Sequence, residues 1–348
     1  MRAAFFALSN GLSFLAAFAA ACLGLRELIP VSQATEVAQR LEEVAARRGD
    51  LDMVFIGSSR VLHHFDPVLF DAELTARGFR FHSYNLGFDG MRPPESLYFT
   101  RELLALRPQV KWVFFELWDF FARADIIDQR TARVVAWHDF RHTRMALQDL
   151  MFRRFARKET ALEAFQHLKH FASRMTGTGR ASDRLSALLS PPRPRPPTKA
   201  ALPAMGGFVP IDKSMFSATD SVAGFEARVK ALKLHRHESS LSPTLRDGLR
   251  ELISEIHAAG ANPVFVIMPT VVDGEGISDL GTQGISASLI SFADPNRFPE
   301  LYQTDVHSNG YHLNAKGAAL MTRMLAEEFV NLLAQHAPEP VRGAEELH

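Results

Sequence analysis

The sequence predicts an α/β fold with an open, doubly wound and mainly parallel sheet of five strands. Three short apolar runs without polar alternation, at 53–56, 110–115 and 263–268, are typical of strands covered on both faces. Segments with a helical pattern separate these runs, as expected when crossover helices connect parallel strands. With 348 residues, the chain is long enough to bury such a sheet completely.

The remaining elements follow in order along the chain. A polar, helix-forming stretch at 31–48 precedes the first strand, and two weaker strand candidates at 81–85 and 288–292 bring the sheet to five. The predicted core helices are 67–77, 94–106, 244–259 and 315–335. In an open sheet of this kind the active site lies at the carboxyl ends of the strands.

The N-terminal segment, 1–30, is predicted to be a membrane anchor or a signal segment. Residues 3–25 carry no charge, and 23 residues are enough to cross a bilayer as a helix. Arg2 before the run favours a single-pass protein of the bacterial inner membrane with its domain in the periplasm or outside the cell. Cleavage after the alanines at 19–21, or lipoprotein processing at Cys22, are alternatives that also place the domain outside the cytoplasm.

The middle of the main domain, 31–348, departs from the strand and helix rhythm. Residues from about 125 to 203 are rich in Arg, His, Phe and Leu, and they end in the proline-rich stretch 190–197, which predicts a helical insertion followed by a stiff linker. The basic and aromatic segment 152–158 predicts either contact with a membrane surface or a partner protein, or a helical cap over the active-site edge.

Composition excludes several functional classes. The formal net charge is zero and no basic stripe with interleaved aromatics occurs, so a nucleic-acid partner is not expected. A single cysteine can form neither a disulfide nor a zinc-thiolate site within one chain. The histidine pairs lack a carboxylate pattern and no glycine-rich nucleotide loop is present, so neither a metal nor a cofactor is expected.

Three short motifs carry the chemistry. Gly-Ser-Ser at 57–59 follows the first strand, a glycine-containing segment at 85–90 follows the second, and Tyr-His-Leu-Asn-Ala-Lys-Gly occupies 311–317 ahead of the last helix. The carboxyl ends of parallel strands share one edge, so these segments should converge. A serine and a histidine brought together in this way form a nucleophile and general-base pair, which indicates acyl chemistry.

In these motifs the sequence resembles the SGNH (GDSL-like) hydrolase superfamily, over about residues 50–120 and 260–335. The resemblance implies a flavodoxin-like doubly wound sheet, the SGNH hydrolase fold. With the N-terminal run, the chain looks most similar to the membrane-anchored branch that includes alginate O-acetylation proteins and the teichoic-acid D-alanine transfer protein. That branch implies a polysaccharide or other acylated glycan as substrate and a membrane-bound O-acyltransferase as partner.

The resemblance also implies roles for individual residues. Ser59 corresponds to the nucleophile and His312 to the base, with the backbone N–H groups of Ser59 and Gly90 as oxyanion-hole donors. Residues expected to line the site are Arg60, Asn85, Asp119 and His63.

Two positions depart from the family pattern. The family usually has an aspartate three residues before the histidine, where this chain has Asn309, so the site is either a slower dyad, a triad completed by Asp305, or inactive. The family's Gly-x-Asn-Asp block is replaced by Glu-Leu-Trp-Asp at 116–119, and an ionised Asp119 cannot substitute for the amide donor. Asp119 is expected either to hold His312 or the loop backbone, or to be protonated in a dry pocket. The sequence therefore predicts either an extracytoplasmic serine O-acyltransferase or esterase, or a catalytically impaired binding subunit beside an acyltransferase.

Overall fold

We describe the fold from a computed structural model. The structure describes residues 36–47, 49–117, 132–153, 156–177, 206–217, 220–234, 241–271 and 279–336, with scattered positions between 10 and 24. Most of the predicted membrane run at 3–25 and all of the proline-rich stretch 190–197 lie outside these residues. Within them, no helix combines the length and apolar character needed to cross a membrane.

The centre of the domain is a five-stranded sheet in which every neighbouring pair is parallel. The strands are β1 Met53–Gly57, β2 Ser83–Gly87, β3 Trp112–Glu116, β4 Asn262–Ile267 and β5 Ser288–Ser291. Their order is β2-β1-β3-β4-β5. The chain therefore runs from β1 outward to β2 and returns to the other side of β1, which places the reversal of strand order between β1 and β3.

Helices cover both faces, as a doubly wound sheet requires. The helices are α1 Glu36–Ala46, α2 Ser59–His64, α3 Pro67–Ala76, α4 Pro93–Ala105, α5 Ala132–Trp137, α6 Phe140–Phe152, α7 Arg157–Thr176, α8 Val222–Leu234, α9 Pro243–Ala258 and α10 Ala315–His336. Val54 and Ile56 of β1 belong to the apolar cluster that includes α1, α4, α6 and α9, whereas Met53 and Phe55 belong to the cluster on the opposite face, with α3, α8 and α10. This alternation within one uniformly buried strand explains its continuous apolar sequence.

The predicted α/β architecture is confirmed, with two differences in detail. The second strand is Ser83–Gly87 and not 81–85. Residues 85–87, the first half of the segment expected to follow the strand, therefore lie inside it. Helices α2 and α8 were not predicted, because α2 has only six residues and α8 follows the segment interpreted as a linker.

The insertion is helical where the structure describes it. Helices α5, α6 and α7 fall within 132–176, and α6 packs against both α4 and α9, which lie on the sheet. Helix α7 packs on α5 and α6 and forms an outer layer. The helical insertion thus extends one face of the domain.

Candidate active site

Ser59 lies at the tight turn that joins β1 to α2. Ser58, with extended backbone, caps the helix by accepting a hydrogen bond from the N–H of Arg60 at 3.1 Å. Gly57 precedes it, and a Cβ there would stand 2.5 Å from Oε2 of Glu116. A glycine at position 57 therefore allows the close approach of Glu116. Ser59, two residues later, is half-buried at the carboxyl edge of the sheet.

Glu116 at the end of β3 fastens this turn. Its carboxylate accepts hydrogen bonds from the backbone N–H and, at 3.1 Å, the hydroxyl of Ser58. It also forms an ion pair with Nε of Arg60 at 2.8 Å, and both side chains are almost completely buried. Glu116 therefore joins β3 to the turn that carries Ser59, at the point where the strand order reverses.

His312 lies on a loop between a 3₁₀ turn at Thr304–Val306 and α10. The carbonyl of His312 accepts hydrogen bonds from the N–H and the hydroxyl of Ser308, at 2.8 and 3.2 Å. The side-chain oxygen of Asn309 accepts from the N–H groups of Tyr311 and His312, at 2.8 and 2.9 Å. Asn309 therefore orients the backbone of the loop and makes no hydrogen bond to the imidazole.

Two other elements fasten the same loop to the domain. Nε2 of His64, in α2, accepts the N–H of Leu313 at 2.9 Å, and Asp220, just before α8, accepts the N–H of Gly310 at 2.7 Å. His64 is fully buried, and this burial lowers its pKa well below the ordinary value. The ring is therefore neutral at neutral pH and keeps the lone pair that this hydrogen bond requires.

These supports bring the two predicted residues together. Nε2 of His312 lies 2.8 Å from Oγ of Ser59, although the residues are 253 positions apart in the sequence. Burial, followed by the neighbouring His63, lowers the pKa of His312 to about 4, so that its imidazole is neutral at neutral pH. Nδ1 is buried and has no hydrogen-bond partner in the described part of the chain. The geometry is that of a serine–histidine dyad.

The other predicted partner of His312 lies elsewhere. Asp305 is on the surface, where its carboxylate pairs with Nζ of Lys316, and this contact lowers the pKa of Asp305. It does not reach the imidazole of His312. Asp119 lies outside the described residues.

His63 lies beside His312, and Gly90 follows Asp89, whose carboxylate faces His63. Gly90 has a φ of 67°, in the left-handed region that glycine adopts without strain, and it is exposed in the turn from Phe88 to Met91. The ring of His63 stands edge-on to that of His312 with centroids 5.5 Å apart. Its Nε2 lies 3.4 Å from the carboxylate of Asp89, whose side chain is 76% exposed. His63 and Asp89 therefore form a polar wall next to Ser59 and His312.

Asn85 has a different place from the one expected. It is fully buried within β2, where its amide donates to the carbonyls of Val61 and Phe65 at 2.7 and 2.8 Å and its oxygen accepts the N–H of Gly87. It holds α2 against β2 and does not open onto the site. Arg60, similarly, is committed to Glu116 behind the turn.

The support that Glu116 and His64 give to the site is what sequence reasoning missed. A glutamate directly after a strand and a second histidine in a His-His pair were visible signals. Their importance depends on which strands and loops are neighbours in space, so the signals alone did not identify them.

Histidines also meet inside the insertion. His138 and His167 share a hydrogen bond of 3.0 Å, and the ring of His170 lies 5.0 Å from that of His138. Burial lowers the pKa of His138 to about 2, so it packs as a neutral ring. Across the described ranges, no group of three potential ligands is arranged to hold a metal ion.

Comparison with known proteins gives no assignment. No protein-family profile matches the sequence, and no curated protein matches it at a significant level. An α/β fold of this kind supports many unrelated activities. Function has therefore to be inferred from the geometry of the site.

Proposed function

We propose that this protein is a serine-dependent O-acyltransferase or esterase of the SGNH type, with Ser59 as nucleophile and His312 as general base. The observation that carries the proposal is the 2.8 Å contact between Oγ of Ser59 and Nε2 of His312. Its position supports the same conclusion, because ligands of open α/β sheets bind at the carboxyl ends of the strands where the strand order reverses.

The reaction has two halves. Neutral His312 takes the hydroxyl proton of Ser59 as Oγ bonds to the carbonyl carbon of an ester. The tetrahedral intermediate then breaks its bond to the leaving alcohol, which receives the proton from His312, and the acyl group remains on Oγ. In the second half His312 deprotonates a sugar hydroxyl or water as its oxygen bonds to the acyl carbon. The second tetrahedral intermediate then breaks its bond to Oγ, which receives the proton from His312, and the acylated sugar or free acid leaves. The chain's own groups are sufficient for every proton transfer.

Backbone donors are available for the oxyanion. Ser59 is the first residue of α2, so its N–H has no acceptor within that helix. Gly90 has no Cβ to keep a substrate from approaching its backbone. We assign these two N–H groups to the oxyanion formed in each half-reaction.

The substrate class and the location are proposed from the sequence resemblance. Acyl transfer to a cell-envelope polysaccharide, beside a membrane-bound O-acyltransferase and outside the cytoplasm, suits a soluble domain that follows an uncharged run at 3–25. Hydrolysis uses the same acyl-serine with water as the acceptor.

A second candidate function is a binding subunit that presents a glycan to a partner acyltransferase. The observation that favours it is the unpartnered Nδ1 of His312. In a serine triad the carboxylate at this position fixes the tautomer and stabilises the imidazolium, and replacing it with an amide costs about 10⁴ in turnover. Here the side-chain oxygen of Asn309 accepts hydrogen bonds from two backbone N–H groups and not from Nδ1 of His312.

A fluorophosphonate probe and a chromogenic acetyl ester separate the two candidates. We expect the full-length chain to be labelled, and labelling to be lost in Ser59→Ala and reduced in His312→Ala. Ser254→Ala, on the exposed side of α9, is the matched control and should be labelled like the parent. An unlabelled parent, or equal labelling of Ser59→Ala, would reject Ser59 as nucleophile and favour the binding subunit.

A further inference from the structure

Helix α7 exposes an apolar face that no described element covers. Leu162, Phe165, Leu168 and Met175 are between 43% and 61% exposed, and their spacing of three and seven residues places them along one side of the helix. Met151 and Phe152, at the end of α6 and shortly before α7 in the chain, are also apolar and at least half exposed. We call these six residues the α7 face.

The other side of α7 already has its partners. His167 and His170 are buried, and the helix packs against α5 and α6. Among the described residues, no element packs on the apolar side chains of the exposed side. Large side chains exposed in a row lose a favourable burial energy unless something else covers them.

The charge around the α7 face favours an anionic partner. Residues 151–177 contain six basic and two acidic residues, a net charge of +4 in a chain whose formal net charge is zero. Arg157, Lys158 and Lys169 are exposed beside the apolar side chains. An apolar stripe bordered by lysine and arginine is the pattern of helices that lie in a lipid interface.

The α7 face and helix α1 lie on the same side of the sheet. Helix α1, which follows that run in sequence, packs on the same face of the sheet as α4, α5, α6 and α9. Helix α7 lies outside α5 and α6 on that face. The α7 face therefore lies on the same side of the sheet as the helix that follows the run at 3–25 in sequence.

We propose that the α7 face docks on a lipid surface containing anionic headgroups. The apolar side chains enter the boundary between headgroups and acyl chains, while Arg157, Lys158 and Lys169 remain at the level of the phosphates. A single weak attachment is reversible, and a second one fixes the orientation of the domain. This proposal does not depend on the chemistry of Ser59.

A fluorescent reporter on the full-length chain tests the proposal directly. Cys22→Ser removes the only native cysteine, so that Leu168→Cys can be labelled with an environment-sensitive dye. Leu234→Cys is the matched control, because Leu234 is also an exposed leucine but belongs to α8 on the opposite face of the sheet. With vesicles of phosphatidylcholine and phosphatidylglycerol, we expect a several-fold rise in emission with a blue shift at position 168 and no change at 234.

Charge reversal adds a second criterion. Arg157→Glu combined with Lys158→Glu, at two exposed positions, should lower the ratio of docked to undocked label by at least about tenfold on the anionic vesicles. Equal responses at 168 and 234 would overturn the proposal. So would a response at 168 that appears without lipid and grows with protein concentration, since this would assign the α7 face to a second copy of the chain.

Discussion

Replacing Asn309 with aspartate tests the electrostatics of the site without changing its shape. The oxygen of Asn309 accepts two backbone N–H groups, and a carboxylate would accept both equally well. The substitution therefore keeps the loop and adds one negative charge three residues before His312. We expect this charge to stabilise the imidazolium and to raise the pKa of His312 from about 4.

The size of the effect follows from the distance. The hydrogen bond to the His312 N–H is 2.9 Å, and the reach from that nitrogen to the ring places the charge roughly 6 Å from the imidazole. With an effective dielectric constant of about 20 to 80, a unit charge at that distance contributes about 0.7 to 3 kcal/mol. This corresponds to about half to two pKa units.

The pH dependence of kcat/KM for a chromogenic ester measures this shift. We expect the acid limb to move upward by about half to two units and activity at neutral pH to rise, with about 10⁴ as the upper bound set by the amide-for-carboxylate exchange in a serine triad. Asn296→Asp, an exposed position after β5, is the control for a distant charge. An acid limb that stays in place in a correctly folded Asn309→Asp protein would refute this electrostatic reasoning.

Three further predictions concern stability. Glu116→Gln should lower the free energy of unfolding in urea by about 3–5 kcal/mol, because it removes the buried carboxylate that pairs with the guanidinium of Arg60. The free energy of unfolding should fall as the pH drops below 6.5, by about 1.4 kcal/mol per pH unit for each of His312 and His138. In the unfolded chain both rings become protonated near pH 6.5, whereas in the folded chain their pKa values are lowered to about 4 and about 2. Gly87→Ala should lower the melting temperature and reduce probe labelling together, because its Cβ would stand 2.2 Å from a backbone nitrogen of α2.

The two substitutions have matched controls, and the pH dependence has an outcome that would contradict it. Glu251→Gln, at a side chain that is 57% exposed, should change stability by less than about 1 kcal/mol. Gly224→Ala, within α8, should be tolerated because its nearest contact is 3.3 Å. Equal stability of the parent at pH 7 and pH 5 would contradict the burial of the histidines.

The fold could be predicted from sequence where a strand is buried on both faces. A continuous apolar run such as that of β1 has no other place in a domain of this size. The second strand was displaced by two residues because Asn85 and Gly87 are typical of turns. In the structure Asn85 satisfies two carbonyls of the α2 segment, and Gly87 gives the backbone of that helix room to approach. Tertiary contacts therefore override the local preference.

The site could be predicted only in part for a similar reason. Ser59 and His312 stand in motifs with a local signature, whereas Glu116 matters because β3 is the neighbour of β1. The sequence contains no direct signal for that adjacency. Asp305 was a reasonable third member of the site because of its spacing from His312. In the structure its carboxylate instead forms an ion pair with Lys316 at the surface.

The loop that carries His312 is tied to α2 through His64 and to the segment before α8 through Asp220, so it receives its position from parts of the chain far apart in sequence. Contacts of such long sequence separation form late in folding, after the intervening loops have been closed. Serine reactivity would then require the completed domain, and partly folded chains would contribute none of it. Probe labelling per mole of protein would therefore measure the fraction of chains that have folded completely. A spectroscopic signal from a single helix or strand would not measure that fraction.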